Sequence, residues 1–332
     1  MVIARSRTSR PLPFLALTVV VAFLLAACGS SNESEPSAGS SSSGGGGSWP
    51  LTFTNADGST TEIPAKPQRI ASTTVSTTGT LLAIGAPVVA SGAAGNGKFF
   101  DQWAPVAAGR KVATLWSAGS VDLEAVYAAK PDLIVVSSTG ADSVLDQVAK
   151  LKETAPTIVV DYGGQTWEEL AVKLGEATGL KTEAEATVTE FNKTVADAKA
   201  KITVPAGQAN IVSYNGAGED NPIAKPGGAQ GKLLTELGFT VEAPDESWHT
   251  QAKPREDFVF SAYENLTKLT AQTTFILSAA NPDAQKFAKD PVLANVPSVK
   301  SKQVYGLGVN SFRVDPYSAK EIVDGVVENF GS

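Results

Sequence analysis

The sequence has only one cysteine and one histidine among its 332 residues. A disulfide framework needs at least two cysteines, and a zinc site of cysteine and histidine needs several such ligands, so both are excluded. A hydrolase with a Ser-His-Asp triad would have to use His249. The formal net charge of −7 favours neither nucleic acid nor an anionic membrane surface as a partner. The 42% of apolar residues suit the cores of about two domains.

The N-terminal segment has the features of a secretory signal. Residues 1–10 contain three arginines and no acid, and residues 14–27 are apolar apart from Thr18. This run is short for a membrane span, which needs about 20 apolar residues. It ends in Leu-Ala-Ala-Cys, which resembles a bacterial lipobox with Cys28 as the lipidated residue; the alternative is a buried cysteine in an uncleaved anchor. We expect residues 1–27 to be a lipoprotein signal peptide, and losing its three arginines takes the charge from −7 to −10.

Glycine and serine dominate residues 29–48, where no apolar periodicity occurs. This composition is typical of a flexible linker. We therefore expect residues 28–48 to be a lipidated tether that holds a globular body at the outer face of the cytoplasmic membrane. A chain without a freely diffusing form also suggests a cell envelope that lacks a closed periplasm.

After the tether, short apolar runs alternate with helical segments. Asn55-Ala56-Asp57-Gly58 separates two β-rich runs and predicts a hairpin. The runs 132–137 (DLIVVS) and 156–161 (PTIVVD) are continuously apolar, as in strands of a buried parallel sheet. Helical segments such as 167–178 lie between runs of this kind. The alternation predicts βαβ units and an α/β lobe over residues 49–180.

The longest helical pattern covers Lys181–Ile202. Its apolar residues recur at spacings of three and four, which places them on one face. Acids cluster early and lysines late, which complements the helix dipole. A second α/β pattern follows, from an apolar run at 210–214 to a closing helix at 318–330. We therefore expect an interlobe helix at 181–204 and a second α/β lobe at 205–332.

Each predicted lobe contains a similar short pattern. Val121–Val126 leads into an apolar run at Leu133–Val136, and Ser261–Leu266 leads into Phe275–Leu277. In both, a helix with glutamate in its first turn precedes a buried strand. The pattern indicates a structural repeat, although βα units in general look alike.

The body of the chain, residues 49–332, resembles the substrate-binding proteins of ATP-binding-cassette importers for iron–siderophore complexes. The residues that carry this resemblance are Pro67 to Ile70 (PQRI), Leu81 to Val88 (LLAIGAPV), Lys130 to Ile134 (KPDLI) and Leu233 to Phe239 (LLTELGF). Toward the C-terminus, Lys302 to Tyr305 (KQVY), Ser311 to Asp315 (SFRVD) and Tyr317 to Ala319 (YSA) are similar to the members that bind ferric enterobactin, a catecholate.

The resemblance implies the siderophore-type periplasmic-binding-protein fold. In that fold, two α/β lobes with parallel-rich central sheets are joined by one long rigid helix, and the ligand lies between the lobes. The resemblance also implies a monomeric binding protein rather than an enzyme, without a cofactor. Its partners would be a ferric siderophore, ABC permease subunits and, through Cys28, the membrane, with no role for nucleic acid.

In α/β lobes, ligands bind outside the carboxyl ends of the strands, so the loops after predicted strands are candidates for the site. These loops are 92–103, 114–120, 137–142, 162–167, 214–229, 247–258, 279–284 and 308–317. A ferric tris-catecholate is a compact trianion with aromatic faces, which cationic side chains and aromatic rings bind well.

Arg313 ranks first among the candidates, Lys253 and Arg255 second, and Trp116 third. The full set of candidate ligand-binding residues is Arg313, Arg255, Lys253, Trp116, Trp248, Phe312, Tyr317, Trp103, Lys98 and Tyr214. The alternative for each is an ordinary solvated charge or a core aromatic.

Three further residues take roles from the resemblance. In the family, one acidic residue on each lobe docks onto arginines of the permease, which points to Glu124 and Glu264; the alternative is a charge that stabilises the first turn of a helix. In some relatives a histidine and a tyrosine complete the coordination of iron, and His249 could do so for an incompletely chelated complex. We favour a polar loop residue at His249 and expect no direct metal ligand.

Other functions fit the sequence less well. Gly227–Lys232 resembles a phosphate-binding loop, but Pro226 stands at its first glycine and Leu233 at its Ser/Thr. A hydrolase with paired carboxylates is the catalytic alternative, and haem or cobalamin binding by the same fold is the alternative ligand. The siderophore itself stays open, because the sequence departs from the enterobactin-binding pattern in several predicted ligand loops.

Overall fold

The computed structural model of the chain describes residues 48–331. The predicted signal peptide, Cys28 and the tether up to residue 47 lie outside this part of the chain. Among the described residues, no helix is long and apolar enough to cross a membrane. The predicted hairpin is confirmed: β1 (Leu51–Thr54) pairs antiparallel with β2 (Thr60–Ile63).

The N-terminal half contains a five-stranded parallel sheet. Its strands are β3 (Ile70–Ser72), β4 (Val88–Ala93), β5 (Ala113–Ser117), β6 (Leu133–Ser137) and β7 (Thr157–Val160). The helices between and after them are α1 (Val75–Ala83), α2 (Ala104–Gly109), α3 (Leu123–Ala129), α4 (Val148–Leu151) and α5 (Trp167–Thr178), with a 3-10 helix at Leu145–Gln147. The strand order is β5-β4-β3-β6-β7. Alternate residues of β6 pack into two different apolar clusters, so this sheet is covered on both faces.

The C-terminal half contains a mixed sheet. Its strands are β8 (Gln208–Val212), β9 (Asn221–Ala224), β10 (Thr240–Val241), β11 (Phe258–Ser261), β12 (Thr273–Ile276) and β13 (Val304–Gly306). Strands β8, β10, β12 and β13 are parallel, while β9 and β11 add an antiparallel pair. The helices of this half are α7 (Ala229–Glu236), α8 (Asn281–Ala288), α9 (Pro297–Lys300) and α10 (Pro316–Phe330), with 3-10 helices at Glu246–Trp248, Tyr263–Lys268 and Pro291–Leu293.

Helix α6 (Lys181–Lys199) joins the two halves in the chain. Its predicted apolar stripe is buried at Ala184, Phe191, Val195 and Ala198. The helix ends three residues before the predicted end, because Ile202 instead forms a β-bridge to Gly331.

A second helix, α10, packs along α6. Its first residue follows Asp315, which contacts the N-terminal half, and its last residue, Phe330, packs on Tyr305 with ring centroids 4.8 Å apart. One continuous apolar core therefore includes strand residues of both sheets, such as Leu133 and Phe275. Such a core favours limited movement between the halves.

Several predicted loops contain regular structure. Strand β5 lies in the predicted loop 114–120, β9 in the loop 214–229, and α8 begins in the loop 279–284. Each element is short, and its sequence lacks the long apolar run that identified the central strands. The predicted helix near residues 261–266 is a 3-10 helix, Tyr263–Lys268, rather than an α-helix.

Candidate functional site

A cleft of about 470 Å³ opens between the two halves. Its walls are formed by loops that follow β3, β4, β5 and β6, together with loops that follow β12 and β13. The cleft therefore lies at the carboxyl ends of parallel strands, where ligands of α/β proteins bind. Its wall includes the side chains of Ser76, Lys98, Phe99, Phe100, Gln102, Asp142, Phe312 and Arg313.

A second cavity of about 590 Å³ lies beside this cleft in the C-terminal half. Tyr214, Glu219 and Phe260 form part of its wall, and it shares Ser278 and Phe312 with the first cleft. The two spaces thus meet at the Phe312 ring. Together they offer room for a ligand larger than either space alone would hold.

Arg313 brings a cation to this meeting point. Its guanidinium carbon lies 4.7 Å from the centroid of the Phe312 ring and 5.4 Å from that of Tyr162. Among the described residues it forms no ion pair with a carboxylate. Aromatic faces hold a guanidinium without neutralising it, so the charge of Arg313 remains available to an anion.

The backbone around Arg313 is held by buried polar side chains. Ser318 Oγ donates to the Arg313 carbonyl oxygen at 2.8 Å, and Gln230 Nε2 donates to the carbonyl of Phe312 at 2.9 Å. The Phe312 ring stacks on Phe258 at 5.3 Å between centroids, with an angle of 13° between the ring planes. The guanidinium therefore projects from a fixed loop.

Arg255 and Lys253 are absent from the walls of both spaces. Arg255 forms a two-pronged ion pair with Asp257, with nitrogen–oxygen distances of 2.7 and 2.6 Å. This hydrogen bond to Asp257 is also the main reason that the pKa of Arg255 is raised. Lys253 is exposed, and neither residue lines the cleft or the cavity beside it. Asp257 thus already balances the charge of Arg255.

Two of the predicted aromatic contacts are core residues. Trp103 is 0% exposed and Trp116, on β5, is 6% exposed. Both rings are buried and line neither the cleft nor the cavity beside it, so the structure does not show the expected contact with a ligand. Trp103 instead supports Phe99, at 5.0 Å between centroids, and Phe99 and Phe100 line the cleft. The sequence could have indicated Phe99 and Phe100, because they directly follow Lys98 in a predicted ligand loop.

The remaining candidates are divided between the cleft, the neighbouring cavity and other surfaces. Lys98 is exposed on the cleft wall, and Tyr214 lines the neighbouring cavity, where its hydroxyl donates to Asp290 at 2.5 Å. The Trp248 ring lines neither space, and its centroid lies 5.7 Å from Nζ of Lys268. Tyr317 is half-buried at the start of α10.

His249 lies in the loop before β11 and lines neither space. The backbone N–H groups of Gln251 and Arg255 lie 3.2 and 3.3 Å from its two ring nitrogens. A neutral imidazole can accept only one of these, so one of the two hydrogen bonds forms at a time. This geometry orders the 249–255 loop. Within residues 48–331, no three His, Cys, Asp or Glu side chains are grouped to hold a metal ion.

Asp315 is a buried carboxylate where the two halves meet. One oxygen accepts the backbone N–H groups of Tyr317 at 2.9 Å and Ser318 at 3.0 Å, which caps α10. The other oxygen accepts a hydrogen bond at 3.2 Å from Nε2 of Gln102, a residue of the N-terminal half. Burial is the strongest influence on the pKa of Asp315 and raises it to about 6, although the hydrogen bonds act in the opposite direction.

We expect Asp315→Asn to increase the free energy of unfolding at about pH 7.5 by roughly 1–3 kcal/mol, because asparagine can cap the helix without a buried charge. The folded-state pKa is raised, so protonation of wild-type Asp315 adds stability as the pH falls through about 6. The advantage of the variant should therefore shrink toward about pH 5. Chemical denaturation of both proteins over this pH range measures the difference.

Asp245→Asn is the matched control for this experiment. Asp245 also caps a short helix, but it is exposed, and hydrogen bonds from Ser247 lower its pKa. Its charge is therefore favourable in the folded state, and the control should gain no stability near neutral pH. An advantage of Asp315→Asn that stays constant or grows toward acid pH would contradict the role of burial.

Comparison with known proteins covers most of the chain. The profile of the family described as periplasmic binding protein matches residues 70–310. The ferric enterobactin-binding periplasmic protein FepB of Escherichia coli O6:H1 is 38% identical over 287 residues, which are 83% of this chain and 89% of that protein. The crystal structure of holo-ViuP is 50% identical, with a TM-score of 0.84 over 86% of this chain and 97% of its own. A FhuD fold-family protein of Bacillus subtilis, 22% identical, has a TM-score of 0.60 over 81% of this chain and 99% of its own, which is a likeness in fold.

Proposed function

The chain belongs to the periplasmic binding protein family, and from this membership we propose that it captures a ferric siderophore between its two halves. It then delivers the complex to the membrane permease of an ATP-binding-cassette importer for iron uptake. The relative FepB is a ferric enterobactin-binding protein, which supports a catecholate as the ligand.

The single observation that carries this proposal is the guanidinium of Arg313 in the cleft, which forms no ion pair with any carboxylate of residues 48–331. A ferric tris-catecholate carries negative charge on a body with aromatic faces. Arg313 and Lys98 supply positive charge, and Phe99, Phe100 and Phe312 supply rings on the same wall. Cations and rings are thus combined at one place, as such a ligand requires.

A binding role also fits the position of the single histidine better than catalysis does. His249 lies outside both spaces, and its ring nitrogens face backbone N–H groups. A triad hydrolase would need this residue at the substrate. We therefore propose that the protein binds and releases its ligand unchanged.

We propose Glu124 and Glu264 as the residues that dock on the permease. Both side chains are exposed, and each lies in the first turn of a short helix. The strands that follow, β6 and β12, pair with the first strands of the two sheets, β3 and β8. The two carboxylates thus occupy equivalent places in the two halves, which supports a matched pair of contacts.

The placement at the membrane rests on the sequence. We propose that Cys28 carries the lipid, that residues 28–48 form the tether, and that the protein works at the outer face of the cytoplasmic membrane. We further propose lobes at 49–180 and 205–332 around the interlobe segment 181–204, since the two sheets lie on either side of α6.

Fluorescence titration tests the proposed ligand. We expect iron(III)–enterobactin to quench the tryptophan emission with a Kd between about 1 nM and about 1 μM. Trp103 is the expected reporter, because it packs against Phe99 in the cleft wall. Haem, cobalamin, and hydroxamate and mixed catecholate–hydroxamate ferric complexes form the comparison set. Quenching by haem or cobalamin without quenching by any ferric siderophore would contradict the proposal.

A further inference from the structure

Tyr162 lies between the cleft cation Arg313 and a buried carboxylate, Asp142. Its ring faces the Arg313 guanidinium at 5.4 Å, and its hydroxyl donates to Asp142 Oδ1 at 2.9 Å. Tyr162 follows β7 of the N-terminal half, whereas Arg313 precedes α10. The tyrosine therefore connects the two halves next to the cleft.

Asp142 is held firmly in its place. It is 7% exposed, and its Oδ2 accepts the backbone N–H of Ser76 at 3.0 Å and the hydroxyl of Thr74. These donors belong to the N-terminal end of α1, which favours a negative charge there. Oδ1 accepts the Tyr162 hydroxyl. A buried carboxylate that lost this donor would attract the nearest available cation.

The space for the Tyr162 hydroxyl depends on Gly140. This glycine has a φ of +93°, and a Cβ built on it would overlap the hydroxyl oxygen of Tyr162. A side chain at this position would therefore push the tyrosine away from Asp142. Glycine is thus favoured here for two reasons: it adopts the positive φ easily, and its lack of a side chain leaves room for the hydrogen bond.

Tyr162 lies behind the cleft rather than in it. The ring lines a small adjoining space of about 40 Å³ together with Ser76, Phe312 and Arg313, and it is absent from the walls of the main cleft. The pKa of Tyr162 is raised to about 12, mainly because the hydroxyl is buried. The hydroxyl therefore stays protonated at neutral pH and can donate a hydrogen bond.

We propose that Tyr162 is a positioning residue that keeps Arg313 from pairing with Asp142. Its hydroxyl satisfies the carboxylate while its ring supports the guanidinium, so that the positive charge of Arg313 faces the cleft. This role rests on the proposed function, in which Arg313 meets an anionic ferric complex. Tyr162 acts on that ligand only through Arg313.

A double-mutant cycle with iron(III)–enterobactin tests this role. Tyr162→Phe keeps the ring but leaves Asp142 Oδ1 without its donor, so we expect Arg313 to turn toward Asp142 and the affinity to fall by about fivefold or more. In an Asp142→Asn background no carboxylate competes, and the same change should cost less than about twofold. Thermal unfolding checks that every variant is folded, and Tyr127→Phe, an exposed tyrosine of α3, is the matched control.

The outcomes separate the possible roles of the hydroxyl. Equal losses in both backgrounds would mean that the hydroxyl contacts the ligand or only supports the fold, which overturns the proposal. No loss in either background overturns it as well. A loss confined to the background that contains Asp142 supports it, because a purely structural role would not depend on that carboxylate.

A measurement without ligand separates this inference from the proposed function. Residues 48–331 contain four arginines, so the Nε–H signal of Arg313 can be assigned by nuclear magnetic resonance. The signal should shift in Tyr162→Phe and return toward its wild-type position in Tyr162→Phe with Asp142→Asn. If the wild type binds no ferric siderophore, the proposed function fails, while this shift still supports the positioning role. An unchanged signal in Tyr162→Phe overturns that role.

Discussion

Arg313→Ala is expected to weaken binding of iron(III)–enterobactin by more than about tenfold, or about 1.4 kcal/mol, without unfolding the protein. The guanidinium has no ion-pair partner within the described part of the chain, contacts two rings and lines the cleft from a loop held by Ser318. Its removal takes away a charge that a bound anion would use. Fluorescence titration gives the affinity, and thermal unfolding shows whether the variant is folded.

Two further variants make this result specific. Arg313→Lys keeps the charge but loses the planar group that stacks on Phe312, so we expect an intermediate affinity. Lys300→Ala removes an exposed charge remote from the cleft walls and should bind like the wild type. If Arg313→Ala kept the wild-type affinity, Arg313 would not belong to the site.

Much of the fold could be predicted because local signals and burial agree. Helix α5 has the predicted bounds, 167–178: Thr166 and Glu169 form a capping box at its start, and Gly179, with a φ of +67°, ends it. Strand β6 is buried along its whole length, as its run of apolar residues indicated. In such segments the capping residues mark both ends and the apolar residues indicate burial. Their prediction therefore does not require knowledge of the tertiary contacts.

The site was harder to predict, because burial in loops and short strands depends on the neighbouring elements. Trp116 falls in a predicted loop, but the pairing of β5 with β4 makes that segment the edge strand of the sheet and buries the indole in the core. Nothing in the five-residue sequence of β5 indicates its partner strand.

The sequence already contained an indication that Arg255 forms an ion pair. Asp257 follows two residues later, and residues at that spacing in extended backbone lie on the same face. The ion pair in the structure has this spacing. Arg313 also has an acid two residues later, Asp315, but this carboxylate caps α10 and is not paired with the guanidinium. The spacing alone therefore does not distinguish the two arginines.

The double variant Glu124→Ala with Glu264→Ala is expected to abolish uptake of the ferric siderophore while sparing its binding. Both carboxylates are exposed, form no ion pair among the described residues and lie away from the cleft walls. The continuous core and the paired helices α6 and α10 hold the two halves together, so the distance between the carboxylates is nearly fixed. A permease that carries two matching cationic sites can then recognise both at once, and each lost contact weakens docking.

Transport of iron(III)–enterobactin into proteoliposomes that contain the permease, measured with each purified variant, tests this expectation. Glu153→Ala with Glu328→Ala is the matched control, because it also removes one exposed carboxylate from each half and the same net charge. Uptake should fall by about tenfold or more with the docking variant and stay near the wild-type rate with the control. A parallel loss of affinity in the docking variant would place these glutamates in the fold or the site instead. Equal losses in both variants would show that net charge alone, rather than two specific contacts, determines docking.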